Sequence, residues 1–156
     1  MAKGTPATVA LEKAGVVFTL HEYEYDPDAE RIGMQAAQAL QIDPARLLKT
    51  LMAKAGDRVV CVLVPSDREV NLKRLAAAAG AKSAAMLAPA EAERISGYRV
   101  GGISPFGQKK RLAVFIEMVA LEHATVLLNG GRRGLQIELP PADIVRLLQA
   151  TATALC

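Results

Sequence analysis

Arg58-Val59-Val60-Cys61-Val62-Leu63-Val64 is the stretch on which the fold turns. Its run of apolar, mostly β-branched residues is unbroken, which marks a strand covered on both faces and places it at the centre of a sheet. Upstream, Ala55-Gly56-Asp57 reads as a hairpin turn that joins this strand to Leu47-Leu48-Lys49-Thr50-Leu51-Met52-Ala53. As a strand, that segment puts Lys49 on the same face as Leu47 and Leu51. An ammonium among apolar neighbours must snorkel to water, pair with a carboxylate or receive an anionic ligand. The plain alternative is an edge-strand lysine facing solvent.

Further out, Thr5-Pro6 reads as an N-cap and first helical position, with a helix over residues 6–14 and Gly15 just past its end. A strand is expected over residues 16–23, with Val16, Phe18 and Leu20 on the core face and Thr19, His21 and Tyr23 opposite. Tyr25 to Asp28 form a turn, Met34 to Leu40 a short Ala-rich helix, and Asp43-Pro44 opens a brief helical turn. On the C-terminal side, Asn71 caps a helix over residues 72–79 closed by Gly80, with Leu72, Leu75 and Ala79 inward and Lys73 and Arg74 outward. A small strand over 83–87 and a helix over 89–96 stopped by Gly97 come next, then buried strands over 112–117 and 125–128 and another over 135–139. Pro140-Pro141-Ala142-Asp143 opens a last helix in which Ile144, Leu147, Leu148 and Thr151 form one stripe. Strands and helices alternate without a regular βαβ rhythm. The expectation is an α+β fold, a mixed, barrel-like sheet of about six or seven strands surrounded by helices.

The chain has 156 residues, 51% of them apolar, which suits one domain spanning 1–156. No uncharged apolar run reaches the ~18 residues of a membrane span, and Met1-Ala2-Lys3-Gly4 leads into a capped helix instead of a signal-peptide core, so a cytoplasmic protein is expected. Cys61 and Cys156 lie far apart, and His21 and His123 are isolated, so no disulfide, metal site or cofactor is expected. A net charge of +3 assists the approach of an anionic partner but is too small for a nucleic-acid coat, and neither DNA nor a membrane is indicated.

Two glycine-rich stretches carry the chemistry. In Gly101-Gly102-Ile103-Ser104-Pro105-Phe106-Gly107-Gln108-Lys109-Lys110-Arg111, glycines and a proline sit beside three successive cations; Asn129-Gly130-Gly131-Arg132-Arg133-Gly134 has the same character. Glycine lets backbone approach a ligand, and adjacent N–H groups form a donor site for anionic oxygens. Lys109, Lys110, Arg111, Arg132 and Arg133 are expected beside one shared pocket, with Asp26, Asp28 and Glu30 in an acidic loop elsewhere. Tight turns with solvated arginines are the plain alternative. Neither stretch matches a P-loop or dinucleotide fingerprint, and no Gly-x-Ser-x-Gly elbow occurs. What remains is a cationic, glycine-lined pocket poor in general bases, able to bind phosphate and polarise a carbonyl while its nucleophile comes from water or the substrate.

Residues 101–111, with Lys49-Thr50-Leu51 and Gly130-Gly131-Arg132-Arg133-Gly134, resemble the YbaK/EbsC family, the bacterial Cys-tRNA(Pro) deacylases of the prolyl-tRNA editing superfamily; the likeness runs from Phe18 to the last helix. The resemblance implies a free-standing editing domain that removes cysteine wrongly attached to tRNA(Pro). Cysteine and proline are close in size, and a synthetase pocket rejects such near neighbours by only about 1–3 kcal/mol, so a second hydrolytic site is needed. In the family the substrate's own thiol attacks the ester, giving a cyclic thiolactone.

Carried over by position, the resemblance makes Lys49 the lysine that binds the terminal-adenosine phosphate and Tyr23 a pocket residue. Gly101 and Gly102 would supply N–H groups to the substrate carbonyl. Thr50, Ile103, Gly130 and Gly131 would contact substrate, with the Ser104-Pro105-Phe106 turn fixing the loop and Phe106 either stacking on a base or packing in the core. Asn129 and Gln136 stand where the best-known members carry Ser and Asp, and their amides would orient the substrate amine or hydroxyls. The implied partners are the acceptor end of aminoacylated tRNA(Pro) and, in a ternary complex, prolyl-tRNA synthetase. The alternatives are an Ala- or Ser-tRNA deacylase using water and a non-catalytic module that holds the same ligands.

Overall fold

The computed structural model describes residues 4–28 and 32–156; Met1, Ala2, Lys3 and Glu30 lie outside the described residues. Helix α1 (Pro6–Lys13) starts on Thr5, whose hydroxyl accepts from the Thr8 N–H while the Thr8 hydroxyl accepts from the Thr5 N–H. Strand β1 (Thr19–Glu22), helix α2 (Ile32–Leu40) and a 3-10 turn (Pro44–Arg46) capped by Asp43 lead into the hairpin of β2 (Leu48–Ala55) and β3 (Arg58–Pro65). Then come α3 (Leu72–Ala78), β4 (Ala84–Met86), α4 (Pro89–Ser96), β5 (Ala113–Glu117), β6 (Val126–Asn129), β7 (Leu135–Leu139), α5 (Pro141–Leu148) and β8 (Thr151–Thr153).

The class is α+β, and the strands form two sheets instead of one. One has the order β1-β7-β6, antiparallel throughout; the other has the order β4-β2-β3-β5-β8, with β3–β5 and β5–β8 parallel. A parallel bridge between Leu47 and Leu127 joins them. β3 lies at the centre of the five-stranded sheet, and Val60 through Val64 are at most 1% exposed. One face of that sheet packs Val60, Val62 and Val64 against Leu75 of α3 and Phe115; the other turns Leu48, Met52, Cys61 and Leu63 toward Leu128, Ile137 and Ile144, filling the space between the sheets.

Two expectations need correction. The N-terminal strand begins only at Thr19, Leu20 is 44% exposed, and His21 and Tyr23 are the half-buried residues. Val16 and Phe18 reach the core from an extended lead-in, so the inward parity changes across Thr19 and Leu20. Pairing with β7 sets the register, and His21 meets Glu138 at 2.7 Å. The last helix ends at Leu148 because Gln149 turns left-handed (φ 52°), and Thr151 lies exposed in an eighth strand beside β5. That three-residue strand pairs only through its backbone, which leaves no hydrophobic pattern to read.

Candidate active site

A cavity of about 430 Å³ opens between β2, β7, the start of α4 and residues 100–103. Of the residues singled out in the sequence, Tyr23, Lys49, Thr50, Gly101, Ile103, Asn129 and Gln136 line it. The walls are otherwise mostly apolar, with Leu48, Met52 and Leu87 among them, so electrostatic interactions inside are strengthened relative to water.

Lys49 projects from β2 near the lip. Its side chain is 22% exposed, and its Nζ lies 3.4 Å from Glu69 Oε1, a carboxylate that is itself 82% exposed. A contact with so exposed a partner holds the ammonium weakly, which leaves it free for an anionic ligand. Tyr23 follows β1, where its N–H donates to Gly134 O at 2.9 Å. Burial pushes the Tyr23 hydroxyl above the ordinary tyrosine range, outweighing the opposing hydrogen bond from Gln136. The phenol therefore stays protonated at neutral pH.

The two glycine loops meet through Asn129. Its Nδ2 donates to Gly101 O at 2.9 Å and its Oδ1 accepts from the Gly131 N–H at 2.7 Å, so its amide is a clamp between loops and not a free substrate contact. Gly101 has φ 90°, and a side chain there would meet the Tyr25 hydroxyl at 2.8 Å. Arg133 stacks over the Tyr25 ring at 5.1 Å while its Nε donates to Val100 O, and Arg132 pairs with Glu22 at 3.4 Å.

Other expected contacts fall outside the cavity. The Gly102 N–H already donates to Arg99 O at 2.8 Å, so it is not available to a substrate carbonyl. Gly130 and Gly131 pack against Thr5, Leu135 and Tyr98 as structural turns. Ser104 is fully buried, its hydroxyl accepting from the Phe106 N–H; Pro105 borders a separate small cleft; Phe106 lies in the core with its carbonyl accepting from the Tyr98 hydroxyl. Packing thus decides against a stacking role for Phe106. Lys109, Lys110 and Arg111 are exposed and do not line the cavity, because Gly107 turns the chain against α1 at Pro6 before they begin.

Sequence reading missed two features. Asn129 acts through its hydrogen bonds to distant loops, which no local pattern announces. Thr50 Oγ1 and Gln136 Oε1 are buried in the cavity wall without a hydrogen-bond partner among the described residues. Such atoms are costly unless a ligand satisfies them. Among the described residues no cluster of three or more metal-ligating side chains forms, and no helix is long and apolar enough to cross a membrane.

Residues 26–147 match the family model of the aminoacyl-tRNA editing domain. The chain belongs to that family. Deacylation of aminoacyl-tRNA is the family's activity, and the matched span contains every cavity residue named above except Tyr23. Within the family, the chain is 34% identical over 129 residues to EbsC of Enterococcus faecalis, named as a candidate Cys-tRNA(Pro)/Cys-tRNA(Cys) deacylase, covering 81% of this chain and 78% of that one. A proline–tRNA ligase of Caldicellulosiruptor bescii is 36% identical over 83 residues, 53% of this chain but 14% of the ligase. The fold matches the crystal structure of a candidate trans-editing enzyme for prolyl-tRNA synthetase, with TM-score 0.84, 22% identity and coverage of 96% and 94% of the two chains. The editing-domain architecture expected from residues 101–111 is therefore present.

Proposed function

We propose that this editing domain acts in trans on mischarged Cys-tRNA(Pro), in the cytoplasm, with the substrate thiol as nucleophile. The observation that supports this most directly is the pairing of a weakly held lysine with a cavity in which, among the described residues, no hydroxyl is hydrogen-bonded to a histidine or a carboxylate that would activate it. Among the described residues, Tyr23, Lys49 and Glu69 are the titratable ones lining it, and Ser66 donates its hydroxyl proton to Leu47 O at 2.6 Å with no histidine in the lining. Lys49 binds the terminal-adenosine phosphate and fixes the ester against the Gly101 loop. The substrate sulfur then attacks the acyl carbon, a C–S bond forms, the C–O bond to the ribose breaks, and the thiol proton passes to the departing ribose oxygen. The products are the cysteine thiolactone, which water opens, and free tRNA. A ring closure within the substrate needs orientation more than it needs a protein base, and a largely apolar cavity supplies orientation. The likeness to part of a proline–tRNA ligase supports prolyl-tRNA synthetase as the partner that delivers tRNA(Pro).

The test is deacylation of Cys-tRNA(Pro) and Ala-tRNA(Pro) by the wild-type protein and Lys49→Ala. Loss of cysteine alone, with turnover cut about 100-fold or more by the substitution, is expected. Turnover of neither ester with tRNA binding retained would leave a binding module and overturn the enzyme reading.

A further inference from the structure

β2 is paired along its whole length on one side, from Leu48↔Pro65 to Ala55↔Arg58, but on the other side, among the described residues, its strand pairing is confined to Ala53, Lys54 and Ala55, with β4. Along an antiparallel strand, successive residues direct their N–H and C=O groups to opposite sides. Two bonds fix that alternation here: the Ser66 N–H donates to Leu47 O on the β3 side, and the Leu87 N–H donates to Met52 O on the β4 side. Lys49 and Leu51 therefore address β3, while Leu48, Thr50 and Met52 address the other edge. Leu48 adjoins the Leu47–Leu127 bridge and Met52 is engaged by Leu87, which leaves Thr50 as the residue whose main-chain donor and acceptor both face the cavity. The orphaned Thr50 Oγ1 is on the same residue, and Gln136, 4% exposed, contributes its unpartnered Oε1 to the same cavity.

We infer that Thr50 is the docking residue for the α-aminoacyl group, which adds to the open edge of β2 as a one-residue strand. This rests on the editing reading of the cavity. An aminoacyl ester carries a carbonyl and an α-ammonium spaced as in a single residue of a chain. Set against Thr50, it completes a hydrogen-bonded antiparallel pair: the Thr50 N–H donates to the acyl oxygen and the ammonium donates to Thr50 O. The Thr50 N–H then stands where negative charge grows on the acyl oxygen during attack, taking the place of the Gly102 N–H that Arg99 occupies. Directly paired residues carry their side chains on one face. The Thr50 side chain points with Leu48 and Met52 into the space between the sheets, so the substrate side chain lies beside Thr50 Oγ1. A hydroxyl or thiol satisfies that oxygen and a methyl group does not. The same geometry thus favours seryl and cysteinyl esters over alanyl ones.

Amide hydrogen exchange of the intact protein tests this with 3′-amino-3′-deoxyadenosine acylated by serine through a stable amide. At saturation the Thr50 amide should exchange about tenfold or more slowly, while the amides of Lys49 and Leu51, already paired with β3, change little. The analogue lacking the α-amine should bind about tenfold or more weakly. In Thr50→Val, preference for the seryl analogue over the 2-aminobutyryl one should collapse to about twofold or less. An unaltered Thr50 amide under saturating ligand overturns the docking mode, even where Cys-tRNA(Pro) is deacylated and the editing reading stands. A preference that survives in Thr50→Val overturns the side-chain assignment. Failure of the analogue to bind, together with no deacylation of any ester, removes both readings.

Discussion

Replacing Asn129 by alanine should loosen both glycine loops at once. The substitution deletes the bond to Gly101 O (2.9 Å) and the bond from the Gly131 N–H (2.7 Å). Each such bond contributes about 1 kcal/mol net, and the abandoned carbonyl and N–H add a desolvation cost, reduced here because Gly101 and Gly131 are only partly buried. The expected loss is about 2–3 kcal/mol in urea unfolding. Asn129→Asp keeps an acceptor for Gly131 but turns a carboxylate oxygen toward Gly101 O, so it should be no better than alanine. Because Gly101 lines the cavity, turnover should fall about tenfold or more along with stability, by displacement of the loop against which the ester is proposed to rest. The combination matters: an Asn129→Ala protein within about 0.5 kcal/mol of wild type, with unchanged deacylation, would refute the clamp.

Other outcomes follow from separate sites. Burial pushes the Glu117 carboxyl upward, but the N–H groups of Leu155, Val119 and Cys156 outweigh it and hold the carboxyl below its ordinary range. Its stabilisation is therefore complete above the unfolded value of about 4.3 and is lost as pH falls through the lower folded value. Glu117→Gln should cost about 1–3 kcal/mol at pH 7, with the gap narrowing below about pH 4, as read by urea unfolding across that range. Burial raises the Cys61 thiol to about 12 and the Cys156 thiol to about 11, so neither is a thiolate at neutral pH. A Cys61→Ala, Cys156→Ser protein should deacylate aminoacyl-tRNA as fast as the wild type; loss of that activity in a folded double variant would point to a protein thiol. At Gly134 (φ 83°), a Cβ would lie 2.7 Å from Tyr23 O. Gly134→Ala should therefore displace Tyr23 and lower both Tm and turnover, and retention of both would contradict the close approach.

The elements were legible where a side-chain pattern reports burial. The valine run of β3, the Thr5 and Asn71 caps and the Gly97 stop all lie where their chemistry puts them. The lysine on an apolar strand was legible as well, because a cation between Leu47 and Leu51 is conspicuous. Less legible were features made by partners distant in the chain. That Arg99 occupies the Gly102 N–H, and that Asn129 spends its amide on two loops, depends on tertiary geometry. The Lys109-Lys110-Arg111 run misled for a related reason: adjacency in sequence to Gly101 suggested adjacency in space, and the turn at Gly107 carries the run away. β8 left no signal because backbone pairing alone defines it.

β1 has one strand neighbour, β7, and the residues that join across that pair, His21 and Glu138, are 117 positions apart. A chain leaving the ribosome therefore makes β1 and Tyr23 long before it makes the strand that holds them. Until β7 emerges, β1 has no edge to complete and the cavity lacks the wall that carries Gln136. Closing so long a loop is slow relative to local hairpin and helix formation. Nascent chains truncated before residue 135 should accordingly be inert as editors however well their central hairpin has formed.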